Sequence, residues 1–163
     1  MDHQNGKAED FLPDLAALQP VYHRDYGDAS YIYLKSGQVI LDNRSIRGVK
    51  QALARLKALD QAHLRRLCGQ ELGHRLNLPL PLSAQLMLVP LKMRQPLTEN
   101  DSAYGLVNLV AVRKVLSCAE GGSMVLLESG QSLKVLANRE TCLTHLGEGT
   151  LLHRHFMLKV WEI

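Results

Sequence analysis

The chain has 163 residues, of which 46% are hydrophobic and 21% charged, with a formal net charge of +3 at pH 7. This length suits one well-filled core and is too short for two comfortable domains, and the composition is that of an ordinary globular protein rather than a disordered one. The N-terminus lacks the basic run and apolar core of a secretory signal, and no apolar stretch is long enough to span a bilayer. The sequence therefore predicts a cytoplasmic protein with no membrane partner.

The distribution of charge and the spacing of the cysteines indicate which partners and metal or redox centres the chain can have. Residues 35–75 hold three lysines and six arginines against three acidic residues, so this third of the chain is the basic one. Such a balance permits an anionic partner without requiring one. The three cysteines, Cys68, Cys118 and Cys142, are widely spaced and form no CxxC pair. They indicate buried thiols rather than a zinc or redox centre.

The N-terminal fifth of the chain is predicted to be a tail. Residues 1–20 start polar and then offer one or two helical turns that Pro20 closes. A polar loop from Tyr22 to Asp28 leads into the first hairpin. We therefore divide the chain into a tail, residues 1–20, and one domain, residues 21–163.

Two stretches of the chain resemble each other. Ser30–Arg44 and Ser123–Arg139 both run as serine, alternating apolar residues, Ser-Gly-Gln, a second apolar stretch and Asn-Arg, with a two-residue insertion in the second copy. Each predicts a β-hairpin followed by a helix, because the Ser-Gly pair tolerates the backbone reversal. The Asn-Arg pairs would then occupy equivalent corners before a helix N-terminus. Such a corner favours phosphate, although an arginine there is more often only a solvated surface charge.

The segment between the hairpins changes to helical periodicity. Apolar residues from Ile46 to Leu59 share one side of a helix, and Asp60 can cap a second helix that ends before Pro79. His63 and His74 share a face of that helix, but they lie too far apart to form a metal site by themselves.

The second half of the chain predicts mainly strands. Residues 79–82 form a rigid connector, 85–93 a strand in which Pro90 requires an edge or a bulge, and 94–102 a loop. Residues 104–116 form a long strand that continues through the second hairpin as a meander, and 150–161 a last strand. His153 and His155 share a face of that strand without a neighbouring acid or cysteine, so no metal site is predicted. The fold class is α+β, with repeated β-hairpin-helix units forming a β-rich core and a two-helix insertion.

No pattern in the chain predicts an enzyme or a bound cofactor. The sequence contains no phosphate-binding glycine loop and no nucleophile elbow, and its carboxylates lie outside apolar stretches. Residues 45–75 contain two adjacent basic helices, as a helix-turn-helix motif would. The turn near Asp60 lacks the usual glycine, which disfavours it.

The order and spacing of these segments resemble a known family. Val39–Ser45, Ser83–Pro90 and Glu128–Asn138 together resemble the ComK competence transcription factors of Gram-positive bacteria, from about Tyr22 to the C-terminus. The second half, with Leu106-Val107-Asn108 before a strand and Asn138-Arg139 before a helix, is also similar to LytTR-type DNA-binding domains. Both resemblances imply a β-rich DNA-binding protein that contacts double-stranded DNA with loops at one edge of its sheets.

The resemblance also implies partners and site residues. ComK-like proteins bind A/T-rich sites as oligomers, so we expect A/T-rich duplex DNA, a homo-oligomer and room for a regulatory protein partner. Asn138 and Arg139, at the corner before the last helix, would contact bases or position the protein on DNA. Arg94 and Asn100, in the loop after Pro90, would supply two further contacts. The remaining cations would neutralise phosphates. The predicted DNA-binding residues are Arg44, Arg47, Lys50, Arg94, Asn100, Arg113, Lys114, Asn138 and Arg139.

A second hypothesis keeps the fold without DNA binding. Glu99 and Asp101 place negative charge in the predicted contact loop, and the net charge is modest. The chain would then be a non-enzymatic protein-interaction or small-ligand-binding module. Its partner would contact exposed apolar surface in the leucine-rich region 76–91.

Overall fold

A computed structural model describes residues 2–3 and 8–161 of the chain. Its helices and strands combine into an α+β fold, which confirms the predicted class. Within the described part of the chain, every helix is too short or too polar to cross a membrane. In chain order the elements are β1 (Asp2–His3), α1 (Ala8–Phe11), β2 (Leu15–His23), β3 (Gly27–Leu34), β4 (Val39–Asp42), α2 (Ile46–Leu56), α3 (Gln61–Leu72), β5 (Leu80–Ser83), β6 (Leu86–Lys92), β7 (Tyr104–Asn108), β8 (Val112–Ser117), β9 (Ser123–Leu127), β10 (Ser132–Val135) and α4 (Arg139–Lys159).

The strands form two sheets around a shared apolar interior. The larger sheet has seven strands in the order β1-β4-β3-β2-β7-β6-β5, and the smaller has three in the order β10-β9-β8. All neighbouring strands are antiparallel except β1 and β4. Helix α2 contacts β2 and β3, α4 contacts β5, β6 and β8, and α3 contacts α4 and β5. Buried residues of both sheets and of these helices belong to one hydrophobic cluster.

The predicted hairpin repeat is present and is more regular than the sequence comparison suggests. Ser30 pairs with Asp42 across the β3–β4 hairpin, and Ser123 pairs with Val135 across β9–β10, so both hairpins span the same number of residues. Each is preceded by one more antiparallel strand and followed by a helix. The duplicated unit is therefore a three-stranded meander plus a helix, β2-β3-β4-α2 and β8-β9-β10-α4.

A buried serine fixes the corner of each unit. The Ser30 hydroxyl donates to the Arg44 carbonyl at 2.8 Å, and the Ser123 hydroxyl donates to the Ala137 carbonyl at 2.8 Å. Both serines are completely buried, so each hydrogen bond satisfies a group that burial would otherwise penalise. Arg44 is thereby equivalent to Ala137.

This register corrects the alignment of the two copies. No insertion separates them, and the residue equivalent to Asn138 is Ser45, because each caps its helix. The Asn43-Arg44 and Asn138-Arg139 pairs therefore do not occupy equivalent corners. The shared Asn-Arg letters misled the comparison, whereas strand pairing and capping fix the true correspondence.

The segment predicted as a tail contributes a central strand. Residues 15–20 form the first half of β2, which lies between β3 and β7, and Leu15 to Leu18 are almost completely buried. Only α1 and a 3₁₀ turn at Leu12–Asp14 precede it as helical structure in residues 8–14. Pro20 closes no helix, because it lies inside the strand.

The helical insertion agrees with the prediction. The Ser45 hydroxyl accepts a hydrogen bond from the Gly48 amide at the start of α2, and the Asp60 carboxylate accepts from Ala62 and His63 at the start of α3. Gly73 ends α3 with φ of 79°, a left-handed conformation that glycine adopts readily.

Two predictions for the middle of the chain are wrong. The connector at residues 79–82 is mostly strand, because β5 pairs with β6 there. The long strand predicted at 104–116 is divided by a 3₁₀ turn at Leu109–Ala111, which moves the chain from the large sheet to the small one. Pro90 fits its predicted place, since the pairing of β5 with β6 extends only as far as Leu88.

The predicted last strand is also wrong, because residues 139–159 form one helix. Its buried residues recur every three or four positions, as expected for one face of a helix. Gly149 lies on this face and lets the helix approach β6, since a Cβ there would lie 2.6 Å from a Val89 methyl. His153 and His155 belong to this helix, not to one face of a strand. The buried positions are Cys142, Leu146, Gly149, Leu152 and Phe156.

Candidate nucleic-acid interface

A basic groove runs between the helical insertion and the loop after β6. We call it the basic groove and define its cationic wall as Arg47, Lys50, Arg65 and Arg75. Burial of Ile46, Val49 and Leu53 against the core turns the first two cations outward on α2. Helix α3 supplies Arg65, and the loop after α3 supplies Arg75. The groove encloses about 510 Å³.

The opposite wall of the basic groove comes from the loop between β6 and β7. Glu99, Asn100 and Asp101 lie on this wall, and Gln51, Gln61 and Asn77 also line the groove. These amides can donate and accept hydrogen bonds beside the cations. The groove therefore combines fixed positive charge with neutral polar groups, with the acidic residues confined to the far side.

Tyr22 holds the far wall in place. Its hydroxyl donates to the Asp101 carboxylate at 2.7 Å and accepts from the Leu97 amide at 2.6 Å. The hydrogen bond from Tyr22 lowers the pKa of Asp101, with Arg94 contributing less. Asp101 is thus hydrogen-bonded to Tyr22 of β2, which also binds the loop at Leu97.

The cationic wall is electrostatically unfavourable as it stands. Desolvation lowers the pKa of Lys50, and the nearby charges of Arg65 and Arg47 lower it further. Among the described residues, no carboxylate lies within 4.0 Å of the charged nitrogens of any of the four cations. A bound anion would relieve this repulsion, so the groove is suited chemically to phosphate.

Replacing Lys50 by methionine should stabilise the fold and weaken anion binding. Because the folded-state pKa of Lys50 is lowered, its charge costs folding free energy at neutral pH, and this cost decreases as the pH rises from that lowered pKa to the ordinary lysine pKa of the unfolded chain. We expect a gain of about 0.5–2 kcal/mol at pH 7 by urea unfolding, shrinking towards pH 10. A loss of stability would show that the ammonium group has a favourable partner.

Arg44 forms an ion pair within the protein rather than part of an open phosphate-binding surface. Its guanidinium donates to both oxygens of Asp42, at 2.9 and 2.6 Å, and the Asp42 side chain is completely buried. These hydrogen bonds raise the pKa of Arg44 despite its partial burial. The guanidinium face that would bind phosphate is occupied by this carboxylate.

Arg94 is likewise committed to the protein interior. Its guanidinium donates to Asp28 and to the Ser102 carbonyl, and lies 4.0 Å from the centre of the Tyr22 ring. Its side chain is only 11% exposed. Arg94 therefore closes the base of the loop, and of the two predicted DNA-binding residues in this loop Asn100 is the one that reaches the groove.

The other predicted contacts lie on the smaller sheet and its helix. Arg113 and Lys114 are exposed on β8, where a bulge shifts the register. Arg139 donates to the Val115 carbonyl of the same strand at 3.0 Å, and Asn138 caps α4 through the Thr141 amide. None of these four residues lines the basic groove.

The structure thus brings together three of the nine predicted residues, Arg47, Lys50 and Asn100. Sequence reasoning did not single out Arg65 or Arg75, although both belong to the basic third of the chain. Their approach to Lys50 depends on the packing of α3 and its following loop. A helical pattern alone relates Arg47 to Lys50, which lie one turn apart.

No family model, curated protein or solved structure matches this chain. The functional argument therefore rests on the groove and on the chemistry of its side chains.

Proposed function

We propose that the protein is a non-enzymatic regulator that binds double-stranded DNA through the basic groove. The observation that carries this proposal is the cationic wall, whose four side chains have no carboxylate within 4.0 Å among the described residues and in which burial, Arg65 and Arg47 disfavour the charge of Lys50. DNA phosphates would replace that repulsion with attraction and release counterions from the duplex.

The proposal assigns a role to each side of the groove. The four cations neutralise backbone phosphates and set the position of the protein on the duplex. Asn100 and Asn77 can hydrogen bond to sugars or base edges from within the same groove. Arg113 and Lys114 form a separate exposed basic site on β8 that supplies a further phosphate contact.

The remaining parts of the proposal come from the resemblance to ComK and LytTR-type proteins. They are a preference for A/T-rich sites, action in the cytoplasm as a homo-oligomer, and regulation by a protein partner. An A/T-rich tract has a narrow minor groove with enhanced negative potential, which attracts arginine.

Fluorescence anisotropy with labelled A/T-rich and G/C-rich duplexes tests the proposal. We expect tighter binding to the A/T-rich duplex and a slope of log affinity against log salt of roughly −4 to −5, as expected for the phosphate contacts of the four groove cations and of the β8 site. Replacing Arg47 and Arg65 together by alanine should reduce the magnitude of that slope by about two. Absence of binding even at low salt would contradict DNA binding by this chain.

Arg55 provides the matched control for that experiment. It is an exposed arginine on the same helix as Arg47, but it does not line the groove. Its replacement by alanine removes one charge without changing the cationic wall. Equal losses of affinity in the Arg55→Ala and Arg47→Ala variants would show that net charge alone drives binding.

The alternative, a protein-interaction module, finds less support in its predicted surface. Leu80, Leu82, Leu86, Leu88 and Leu91 are buried in β5 and β6. Leu76, by contrast, is 78% exposed. The apolar region predicted as a docking surface thus mainly fills the core.

A further inference from the structure

A second concavity lies along α3 and shares Arg65, Arg75 and Leu78 with the basic groove. We call it the α3 cavity. Its volume is about 770 Å³, within the range of small-molecule sites. The residues that line it are Arg65, Arg66, Gly69, Gln70, Gly73, His74, Arg75 and Leu78.

The lining of the α3 cavity has the composition of a site for an organic phosphate. Three guanidinium groups supply donors, and no carboxylate is among the described residues that line it. Arginine binds phosphate through two parallel hydrogen bonds. Leu78 and the backbone of two glycines supply a less polar surface for the rest of such a ligand.

The glycines shape the backbone around the cavity. A Cβ at Gly69 would lie 3.0 Å from the His74 carbonyl and 3.7 Å from a Leu78 methyl, so glycine lets α3 pack closely against the segment that follows it. Gly73 adopts a left-handed conformation and has open space at its missing Cβ, so it reverses the chain at the end of α3.

His74 is fixed by two neighbours. Its Nε2 lies 2.5 Å from a Glu148 carboxylate oxygen on α4, and its Nδ1 lies 3.1 Å from the Leu76 carbonyl. The Glu148 contact holds the segment that includes Arg75 against α4, and the Leu76 contact lies within that segment. The two sides of the cavity are thus held by separate elements, α3 and the anchored segment.

We propose that the α3 cavity binds an organic phosphate of about nucleotide size and that this ligand competes with DNA. Arg65 and Arg75 line both the cavity and the basic groove, so a phosphate held by them in the cavity withdraws them from the groove. The binding of the ligand stands on the cavity alone, whereas the competition rests on the proposed DNA-binding function.

Isothermal titration calorimetry tests ligand binding without DNA. The probes are AMP, ribose 5-phosphate, adenosine and inorganic phosphate, titrated into the full chain. We expect at least one organic phosphate to bind tenfold or more tightly than inorganic phosphate, and adenosine to show no binding. Equal affinity for inorganic and organic phosphates, or no binding by either, would overturn the proposal.

Two single substitutions separate the cavity from the groove. Arg66 lines only the cavity and Arg47 only the groove, and both are exposed, so neither substitution should disturb the fold. Arg66→Ala should weaken the organic phosphate at least fivefold, whereas Arg47→Ala should leave its affinity unchanged. Unchanged affinity in Arg66→Ala would place the ligand elsewhere and overturn the assignment.

A competition experiment then tests the coupling. The organic phosphate should displace labelled duplex from the wild-type chain, and Arg66→Ala should retain DNA while requiring more ligand for displacement. Simultaneous binding without mutual weakening would overturn the competition. If the duplex fails to bind, the proposed function fails, while the calorimetry still decides whether the cavity binds its ligand.

Discussion

Replacing Arg44 by alanine should lower the free energy of unfolding by about 2–4 kcal/mol. The substitution removes both guanidinium hydrogen bonds to Asp42 and leaves a completely buried carboxylate without its counter-charge. The Arg44 amide, 2.9 Å from the same carboxylate, cannot replace that charge. Urea unfolding followed by circular dichroism at pH 7 measures the loss, which corresponds to a fall in Tm of roughly 5–15 °C.

The duplicated unit supplies the control for this prediction. Val135 and Ala137 occupy the positions equivalent to Asp42 and Arg44, so the double variant Asp42→Val/Arg44→Ala gives the first corner the residues of the second. We expect it to recover most of the lost stability, because no buried charge remains. A small stability loss in Arg44→Ala accompanied by a large loss of DNA affinity would instead place Arg44 in the interface.

Changing Asn108 to aspartate should destabilise the protein by about 3–5 kcal/mol or prevent folding. The completely buried Asn108 amide donates to the Leu15 carbonyl at 2.9 Å and the Gln85 carbonyl at 3.0 Å, and its oxygen accepts from the Met87 amide at 3.3 Å. An ionised carboxylate donates to neither carbonyl and adds a buried negative charge. Chemical denaturation at pH 7 and about pH 4 measures the effect.

The pH dependence identifies the cause of that loss. Burial beside two carbonyl oxygens should raise the pKa of the introduced carboxyl, so its penalty is full at neutral pH and decreases on acidification. The exposed Asn100→Asp variant is the control and should change stability by less than about 0.5 kcal/mol. Equal effects at the two positions would show that the hydrogen bonds of Asn108 contribute little.

Local chemistry predicts the parts of this fold that depend on neighbouring residues. The two Ser-Gly turns, the Asp60 cap and the amphipathic pattern of α2 each act within a few positions, and the structure confirms them. The predictions fail where residues distant in the sequence determine the secondary structure. Residues 15–20 form a strand because β3 and β7 flank them, and the glycines of α4 are accommodated because Gly149 packs against β6.

The candidate site shows the same division. The outward direction of Arg47 and Lys50 follows from helical periodicity, whereas the arrival of Arg65, Arg75 and Asn100 at the same groove requires three segments to pack together. The ion pair of Arg44 with Asp42 could not be predicted from the sequence, because Asp42 becomes buried when β4 pairs with β3. The sequence shows which residues carry a charge, but it does not show which of those charges are paired within the protein.

The position of β2 has a consequence for synthesis of the chain. Its neighbour β3 follows at once, but its other neighbour, β7, pairs Val107 with Ala17 and therefore emerges from the ribosome much later. Until residue 108 has been translated, the nascent first unit displays one open side of an apolar strand. That interval is when the chain is most exposed to association with other nascent chains. A translation pause before β7 would prolong that interval and with it the exposure of the strand edge.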